Sequence, residues 1–347
     1  MKYGNITPSD TIITTEKVTK GLFTGDVGTI QGSSLTTSSL STTQKTYYHT
    51  FQLSGEDQFS VSYGHKGGSG SADEGVSTFG KTRAIYKQFA DILLPFGEVS
   101  GGFKFGGTEQ QDCYFITFER ARMKDRVNKG TWTLTLSGSV ETDGVKTVPS
   151  ASGLVLTDAS KDSGSIHSPV GESYEIRSGS AGVLEGNQTV FGRFYPTVGV
   201  LVLSATQLSA SLPGGAGYIK SGSDLTHVAG IGLGPDLATT GTIANNSLKL
   251  GNSVRLGSLT FRNEEDQTSV TYFCRAKAPE FNFSNNPTFQ SASGEFAIKS
   301  CEGNPQVLIS TVGLYNSQDH LMAVGRLSAP VLKNYSSETT IKVKLTY

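Results

Sequence analysis

Residues 307–347 read VLISTVGLYNSQDHLMAVGRLSAPVLKNYSSETTIKVKLTY and carry the clearest structural signal in the chain. Apolar and β-branched residues continue to Tyr315, the polar residues 316–319 interrupt them, and an apolar run resumes at Leu321. Two such runs around a short polar loop predict a β-hairpin. Over 341–345, apolar residues alternate with lysines. This alternation predicts a final strand with one buried face and one face in water.

The composition favours the same fold class for the whole chain. Among 347 residues there are 42 glycines, only three methionines and a charged fraction of 17%, which is unusual for a helical protein and typical of a turn-rich β protein. We therefore predict a mainly β protein, built as two or three antiparallel β-sandwich-like domains with one short amphipathic helix.

That helix is predicted at about residues 81–94. The apolar residues Ala84, Ile85, Phe89, Ile92 and Leu93 recur at spacings of three and four, which is the period of one helical face, and a proline follows at position 95. We expect this helix to lie across one face of a sheet.

Turn residues divide the rest of the chain into short strands. A first hairpin is predicted from 45–53 and 58–65, and a later pair from 248–262 and 268–276 around a solvated acidic turn at 263–266. The predicted organisation is an extended N-terminal arm (1–44), a β domain with the helix (45–148), a Gly/Ser-rich β insertion or middle domain (149–250) and a C-terminal β domain (251–347) that ends in the hairpin and a terminal strand.

The overall charge, the N-terminal sequence and the cysteines argue against several classes of protein. A net charge of −1 argues against charge-driven nucleic-acid binding. The N-terminus has no apolar export segment and no run approaches membrane-spanning length, so neither secretion nor a membrane partner is expected. Cys113, Cys274 and Cys301 include no paired spacing, and we expect small, apolar, unbridged side chains.

One segment matches the sequence pattern of a nucleotide-binding loop. Residues 75–82, GVSTFGKT, match GxxxxGK[ST] and precede the predicted helix. The preceding residues 67–74 are polar and Gly-rich, whereas a phosphate-binding loop follows a buried parallel strand, and the chain lacks alternating strands and helices. We expect a chance match, and nucleotide binding is kept as a remote alternative.

Catalytic and metal signatures are also lacking in the sequence. There is no GxSxG elbow, and the five histidines stand singly, without HExxH or paired spacing. The acidic groups at 73–74 and 264–266 do not have the spaced oxygen ligands of a calcium loop. We therefore expect no catalytic residue, no metal, no cofactor and no enzymatic activity.

A resemblance is carried by short motifs in a fixed order. They are YGH at 63–65, RAIYKQF at 83–89, FERARMK at 118–124, GTW at 130–132, TVGLYN at 311–316 and LMAVGRLSAP at 321–330. In this order they resemble virion structural proteins of contractile-tailed bacteriophages, cyanophages especially, which are baseplate or tail components. The resemblance covers much of the first 135 residues and the last 90, and leaves the middle unmatched.

The resemblance implies a structural subunit of the virion, most of all of the tail baseplate. Its partners would be other tail or baseplate proteins and further copies of itself, and it would be assembled in the host cytoplasm. Two alternatives stay open within the virion: a receptor- or glycan-binding tail fibre or fibre-anchor protein, and a neck or capsid-decorating protein.

Three segments are candidate interfaces. Apolar residues stand isolated in the polar arm, aromatic residues edge a polar loop, and arginines concentrate in the densest basic segment of the chain. The alternatives are an arm that is disordered or paired within its own chain, aromatics that plug the end of a sandwich, and a solvated basic face. The candidate residues are Ile12 and Ile13, then Phe281, Phe283 and Phe289, and then Arg120, Arg122 and Arg126.

Overall fold

The computed structural model describes residues 4–21, 28–31, 36–37, 48–68, 81–136, 140–142, 145–147, 154–186, 189–208, 247, 250–251, 253–254, 257–284 and 287–346. The chain is mainly β, as predicted, and its strand pairings are antiparallel. It forms two compact units, which we call the large unit (Val18–Glu265) and the terminal unit (Met1–Lys17 with Asp266–Tyr347). The predicted division at residues 44, 148 and 250 stays a prediction.

The elements follow in chain order. The helices are α1 (Lys81–Leu93) and α2 (Arg120–Met123), with 3-10 turns at Pro8–Asp10, Pro287–Phe289 and Lys299–Cys301. The strands are β1 (Thr11–Gly21), β2 (Gly28–Gln31), β3 (Thr36–Thr37), β4 (Tyr48–Leu53), β5 (Glu56–His65), β6 (Lys104–Phe105), β7 (Thr108–Glu109), β8 (Asp112–Phe118), β9 (Arg126–Val127), β10 (Thr133–Leu136), β11 (Val140–Thr142), β12 (Val145–Thr147), β13 (Leu154–Asp158), β14 (Ile166–Ser168), β15 (Gly171–Ser180), β16 (Val183–Leu184), β17 (Gly192–Tyr195), β18 (Val200–Ser204), β19 (Ser258–Ala276), β20 (Val307–Tyr315), β21 (Leu321–Lys333) and β22 (Thr339–Thr346).

The large unit is built on one long antiparallel sheet. Its strands lie side by side in the order β19-β10-β13-β15-β17-β18-β8-β5-β4-β3. The predicted first hairpin is confirmed as β4 and β5, where Phe51 lies opposite Phe59 and their rings stack with centroids 5.0 Å apart. Sequence neighbours therefore pair along much of the sheet, as expected of an antiparallel fold.

Strands β8 and β18 lie at the centre of this sheet and are apolar at consecutive positions. On one face Leu203 pairs with Tyr114 and contributes to the larger core, while on the other Val202 pairs with Phe115 and contributes to a second cluster. A strand that is covered on both faces has no wet side, so its sequence does not alternate. The continuous apolar runs of both strands follow from this double coverage.

Helix α1 covers the second face, and its predicted existence is confirmed. Its buried stripe differs from the predicted one, because Tyr86 is buried and Ile92 is exposed. The Tyr86 hydroxyl donates to the Gln110 carbonyl (2.7 Å) and accepts from the Phe103 amide (2.9 Å), so the phenol is buried without losing hydrogen bonds. A Cβ at Gly64 would lie 2.8 Å from the Tyr86 nitrogen, so only glycine permits this close approach of helix to sheet.

The larger core lies on the opposite face. It includes the fully buried Trp132, whose ring is 5.4 Å from that of Phe194, and it joins residues from strands that are distant in the sheet order. Phe118 of β8 and Phe261 of β19 have ring centroids 4.5 Å apart. A central strand and an end strand of the sheet thus share one core, which is sandwich-like packing.

The predicted acidic turn at 263–266 is wrong, because these residues lie inside the continuous strand β19. In the large unit, β9 pairs with this stretch, placing Glu264 opposite Arg126 with Arg126 Nε 3.2 Å from Glu264 Oε1. Asn128 donates to Glu264 Oε2 at 2.7 Å. The Glu264 side chain is only 8% exposed, and these partners let a carboxylate sit in a strand where a lone charge would favour a solvated turn.

The terminal unit confirms the predicted hairpin and last strand. Strands β20 and β21 form a two-stranded sheet, and β22 pairs with residues 269–276 of β19. Along β22 the apolar side chains are half-buried and the lysines exposed. In the described part of the chain, both buried apolar clusters are made only of large-unit residues, and buried terminal-unit residues such as Val270 and Leu314 belong to neither.

Candidate interaction surfaces

The arm residues Ile12 and Ile13 lie on β1, and both side chains are exposed. β1 pairs with β19 of the same chain. Within the terminal unit, Asp10 binds Arg275 (2.9 Å) and Glu16 binds Lys344 (3.0 Å). Hydrogen bonds from Thr7, and then the Arg275 charge, lower the pKa of Asp10. Strand β1 of the arm is therefore held by its own chain and presents two isoleucines to solvent. Residues 1–3, 22–27, 32–35 and 38–44 of the predicted arm lie outside the described residues.

The three loop phenylalanines have different surroundings. Phe283 is exposed, Phe289 packs edge-on against Phe296 with ring centroids 5.7 Å apart, and Phe281 is half-buried. A Cβ at Gly4 would lie 3.6 Å from the Phe281 ring, so this ring lies against the N-terminal segment. Of the three candidates, Phe283 offers the largest free aromatic surface.

A fully buried lysine fixes this loop to the end of the hairpin. Lys333 Nζ donates to the Ala278 carbonyl (3.0 Å), to Asn282 Oδ1 (2.8 Å) and to the Asn334 carbonyl (2.8 Å). An ammonium group has three donors, and these oxygens accept all of them. The Asn282 amide in turn donates to the Ala278 carbonyl at 2.7 Å. Lys333 thus holds the base of the aromatic loop in place.

The arginines of the basic segment pair with acidic residues of the same chain. Arg122 binds Glu56, and Arg126 binds Glu264 as described above. Arg120 approaches Asp125 at 3.4 Å, but its side chain remains 72% exposed. An exposed pair of this kind contributes little to stability. Arg120 is therefore the candidate of this segment whose charge is most available to another molecule.

An exposed apolar surface that the sequence predictions missed lies on the β20–β21 hairpin. We call it the outer hairpin face and define it by residues exposed by between 50% and 69%: Leu308, Leu321, Met322, Val324 and Leu332. The opposite face, which includes Ile309 and Leu314, is half-buried or buried. The available signal was a run of adjacent apolar residues in each strand, since alternation would place only every second residue on this face.

One buried histidine could suggest chemistry. His49 on β4 is buried, and its Nδ1 lies 2.6 Å from the hydroxyl of Ser247, which is also fully buried. Burial lowers the pKa of His49 to about 4, so the ring is neutral at neutral pH. His49 Nε2 has no hydrogen-bond partner among the described residues. A triad would place an orienting carboxylate on the second ring nitrogen, so this pair matches a packed structural contact better than a nucleophile and its base.

The other candidates for chemistry are metal-binding clusters, the cysteines and the nucleotide motif. In the described residues, no three His, Cys, Asp or Glu side chains are grouped so that they could hold a metal ion. The three cysteines are free. Residues 75–80 of the nucleotide motif, the Lys81 side chain, the acidic pair 73–74 and His227 lie outside the described residues.

Within the ranges that the structure covers, none of the helices combines the length and apolar character needed to cross a bilayer. Comparison with protein-family models, with curated proteins and with solved structures found no match to this chain.

Proposed function

We propose that this protein is a structural subunit of a bacteriophage virion, a component of the tail baseplate that functions through protein–protein assembly. The motifs at 63–65, 83–89, 118–124, 130–132, 311–316 and 321–330 support this proposal through their resemblance to such proteins. Its partners are other tail or baseplate proteins and further copies of the chain, and its place is the assembled particle.

The observation that carries the proposal is the outer hairpin face. Soluble monomeric proteins rarely expose contiguous apolar patches larger than a few hundred Å², and the largest patch on a protein of this kind is often functional. Here five large apolar side chains are exposed on one two-stranded sheet. A two-stranded hairpin is marginally stable alone in water, so contact with a partner supplies burial that the hairpin lacks.

The lack of an apolar cluster in the described terminal unit supports the same conclusion. A domain is stabilised by its own hydrophobic core, which the large unit has in two clusters. In the terminal unit the strands alternate between half-buried and exposed side chains. The exposed apolar side chains on β20 and β21 leave surface that a partner can cover in an assembly.

The test is the location of the protein in particles. Mass spectrometry of gradient-purified virions from the source virus should detect the chain at a fixed stoichiometry, and a cryo-electron microscopy map should place it in the baseplate. A nonsense mutation in its gene should yield particles with defective tails. Infectious particles of normal composition without the chain would contradict the proposal, and density at the fibre tips would favour the receptor-binding alternative.

A further inference from the structure

The outer hairpin face extends from the open end of the hairpin to its turn. Leu308 lies opposite Leu332 at the open end, whereas Val324, opposite Gly313, and Leu321, opposite Tyr315, lie near the turn, and a register irregularity between Ile309 and Thr311 separates the two parts. A Cβ built at Gly313 would lie 3.1 Å from the Leu321 side chain and 3.0 Å from the Tyr315 ring, so these two side chains lean over the glycine. They fill the gap that glycine would otherwise leave beside Val324.

The size of this face matches what a specific contact requires. With on the order of 200 Å² for each fully exposed residue of this size, the five defining residues expose on the order of 500 Å². Two identical faces brought together would bury about 1,000 Å², which is the area at which a specific interface begins. The Tyr315 ring and main-chain atoms add to this value.

The outer hairpin face carries little charge, which favours an apolar partner. Within β20 and β21, Arg326 is the one charged residue at the surface, because the other, Lys333, is fully buried. Arg326 lies opposite Thr311, where its stem can lie along the sheet while the guanidinium reaches the rim. A strongly basic partner would lose solvation here and meet a like charge, and Arg326 offers an acidic partner only a single opposite charge.

We propose that the occupant is a second copy of this chain, which packs its own outer hairpin face against the first to form a four-stranded sandwich. A two-fold contact uses the same patch twice, so the copy supplies the required area and apolar character by symmetry. Stacked sheets pack about 10 Å apart, and side chains of leucine and methionine size fill that spacing. This inference rests on the proposed structural role and specifies which surface makes the homotypic contact.

The test uses the full chain and variants at the centre of the face. In sedimentation-equilibrium measurements the wild type should self-associate, and Val324→Lys should raise the dissociation constant by at least about 100-fold, because an unpaired ammonium would be buried. The matched control is Val183→Lys, since Val183 on the large unit is exposed by 66%, close to the 62% of Val324. This control should associate like the wild type.

A second variant distinguishes a loss of association from misfolding. Val324→Thr keeps the shape and β propensity of valine and should raise the dissociation constant by about 10-fold, since two buried methyl contacts are exchanged for hydroxyls. A wild type that stays monomeric up to about 100 µM, or a Val324→Lys chain that associates as tightly as the wild type, would overturn the inference. A monomeric chain that still enters virions would overturn only the homotypic contact, whereas absence from virions would overturn the structural role.

Discussion

Acidification tests the burial of His49 directly. The ring is buried on β4 beside Ser247, and burial lowers its pKa to about 4, against 6.5 for an ordinary histidine. As pH falls, the unfolded chain therefore binds a proton before the folded chain does. The stability due to neutral His49 is fully present above pH 6.5 and is lost as the pH falls from 6.5 towards 4.

The size of this loss follows from the two pKa values. A folded pKa of about 4 gives a loss of about 1.4 kcal/mol at pH 5.5 and about 2.6 kcal/mol at pH 4.5, with a limit of roughly 3 kcal/mol below pH 4. His49→Asn removes the titration, and its side-chain amide can keep the contact with Ser247. The free energy of unfolding of this variant should therefore lack that part of the pH dependence.

Urea unfolding monitored by Trp132 fluorescence provides the assay, since Trp132 is the single tryptophan and is fully buried in the large unit. The difference in unfolding free energy between wild type and His49→Asn should change by about 2.6 kcal/mol between pH 7.5 and pH 4.5. His167→Asn, at an exposed histidine, should follow the wild type. Parallel curves for wild type and His49→Asn would refute the assignment of a neutral, buried His49.

Three further substitutions test the packing. Gly64→Ala places a methyl group against the α1 main chain and should lower the free energy of unfolding by roughly 1–3 kcal/mol. Gly97→Ala, whose methyl group would lie in open space, should lower it little. Urea unfolding measures both variants. Lys333→Met leaves Asn282 Oδ1 without its donor and removes one of the donors to the Ala278 and Asn334 carbonyls, so it should lower the free energy of unfolding by roughly 1–3 kcal/mol. It should also raise proteolysis near residues 277–284, whereas Lys342→Met should do neither. Glu264→Gln removes the charge opposite the part-exposed Arg126 and should lower the free energy of unfolding by about 1–2 kcal/mol, as measured by thermal unfolding. Glu338→Gln, at an exposed residue, should leave it unchanged.

Local patterns were sufficient for most of the elements. The hairpins β4–β5 and β20–β21, the helix α1 and the alternation of β22 all follow from periodicity over fewer than about 30 neighbouring residues. Such periodicity reports which faces are buried, and in antiparallel folds neighbouring strands pair with each other. The mainly β, sandwich-like class could therefore be predicted without knowledge of distant contacts.

The errors arose where distant residues decide the outcome. Glu264 remains in a strand because Arg126 and Asn128, far back in the sequence, neutralise and solvate its carboxylate. Tyr86 is buried in preference to Ile92 because Gln110 and Phe103 satisfy its hydroxyl. A single sequence gives residue types but not these partners, so a charged run is interpreted as a turn and a tyrosine is left out of the predicted apolar stripe.

A contact of about 1,000 Å² lies at the small end of specific interfaces, because association first has to offset the lost translational and rotational freedom of each partner. One pair of outer hairpin faces should therefore form a weak, reversible contact. In a larger assembly, further contacts hold the two copies at high effective concentration, so a contact that is partly formed in solution becomes fully formed. The large unit, with its own two cores, can meanwhile fold before assembly. Under the proposed structural role, a weak and reversible contact of this kind would limit aggregation of the free subunits before assembly.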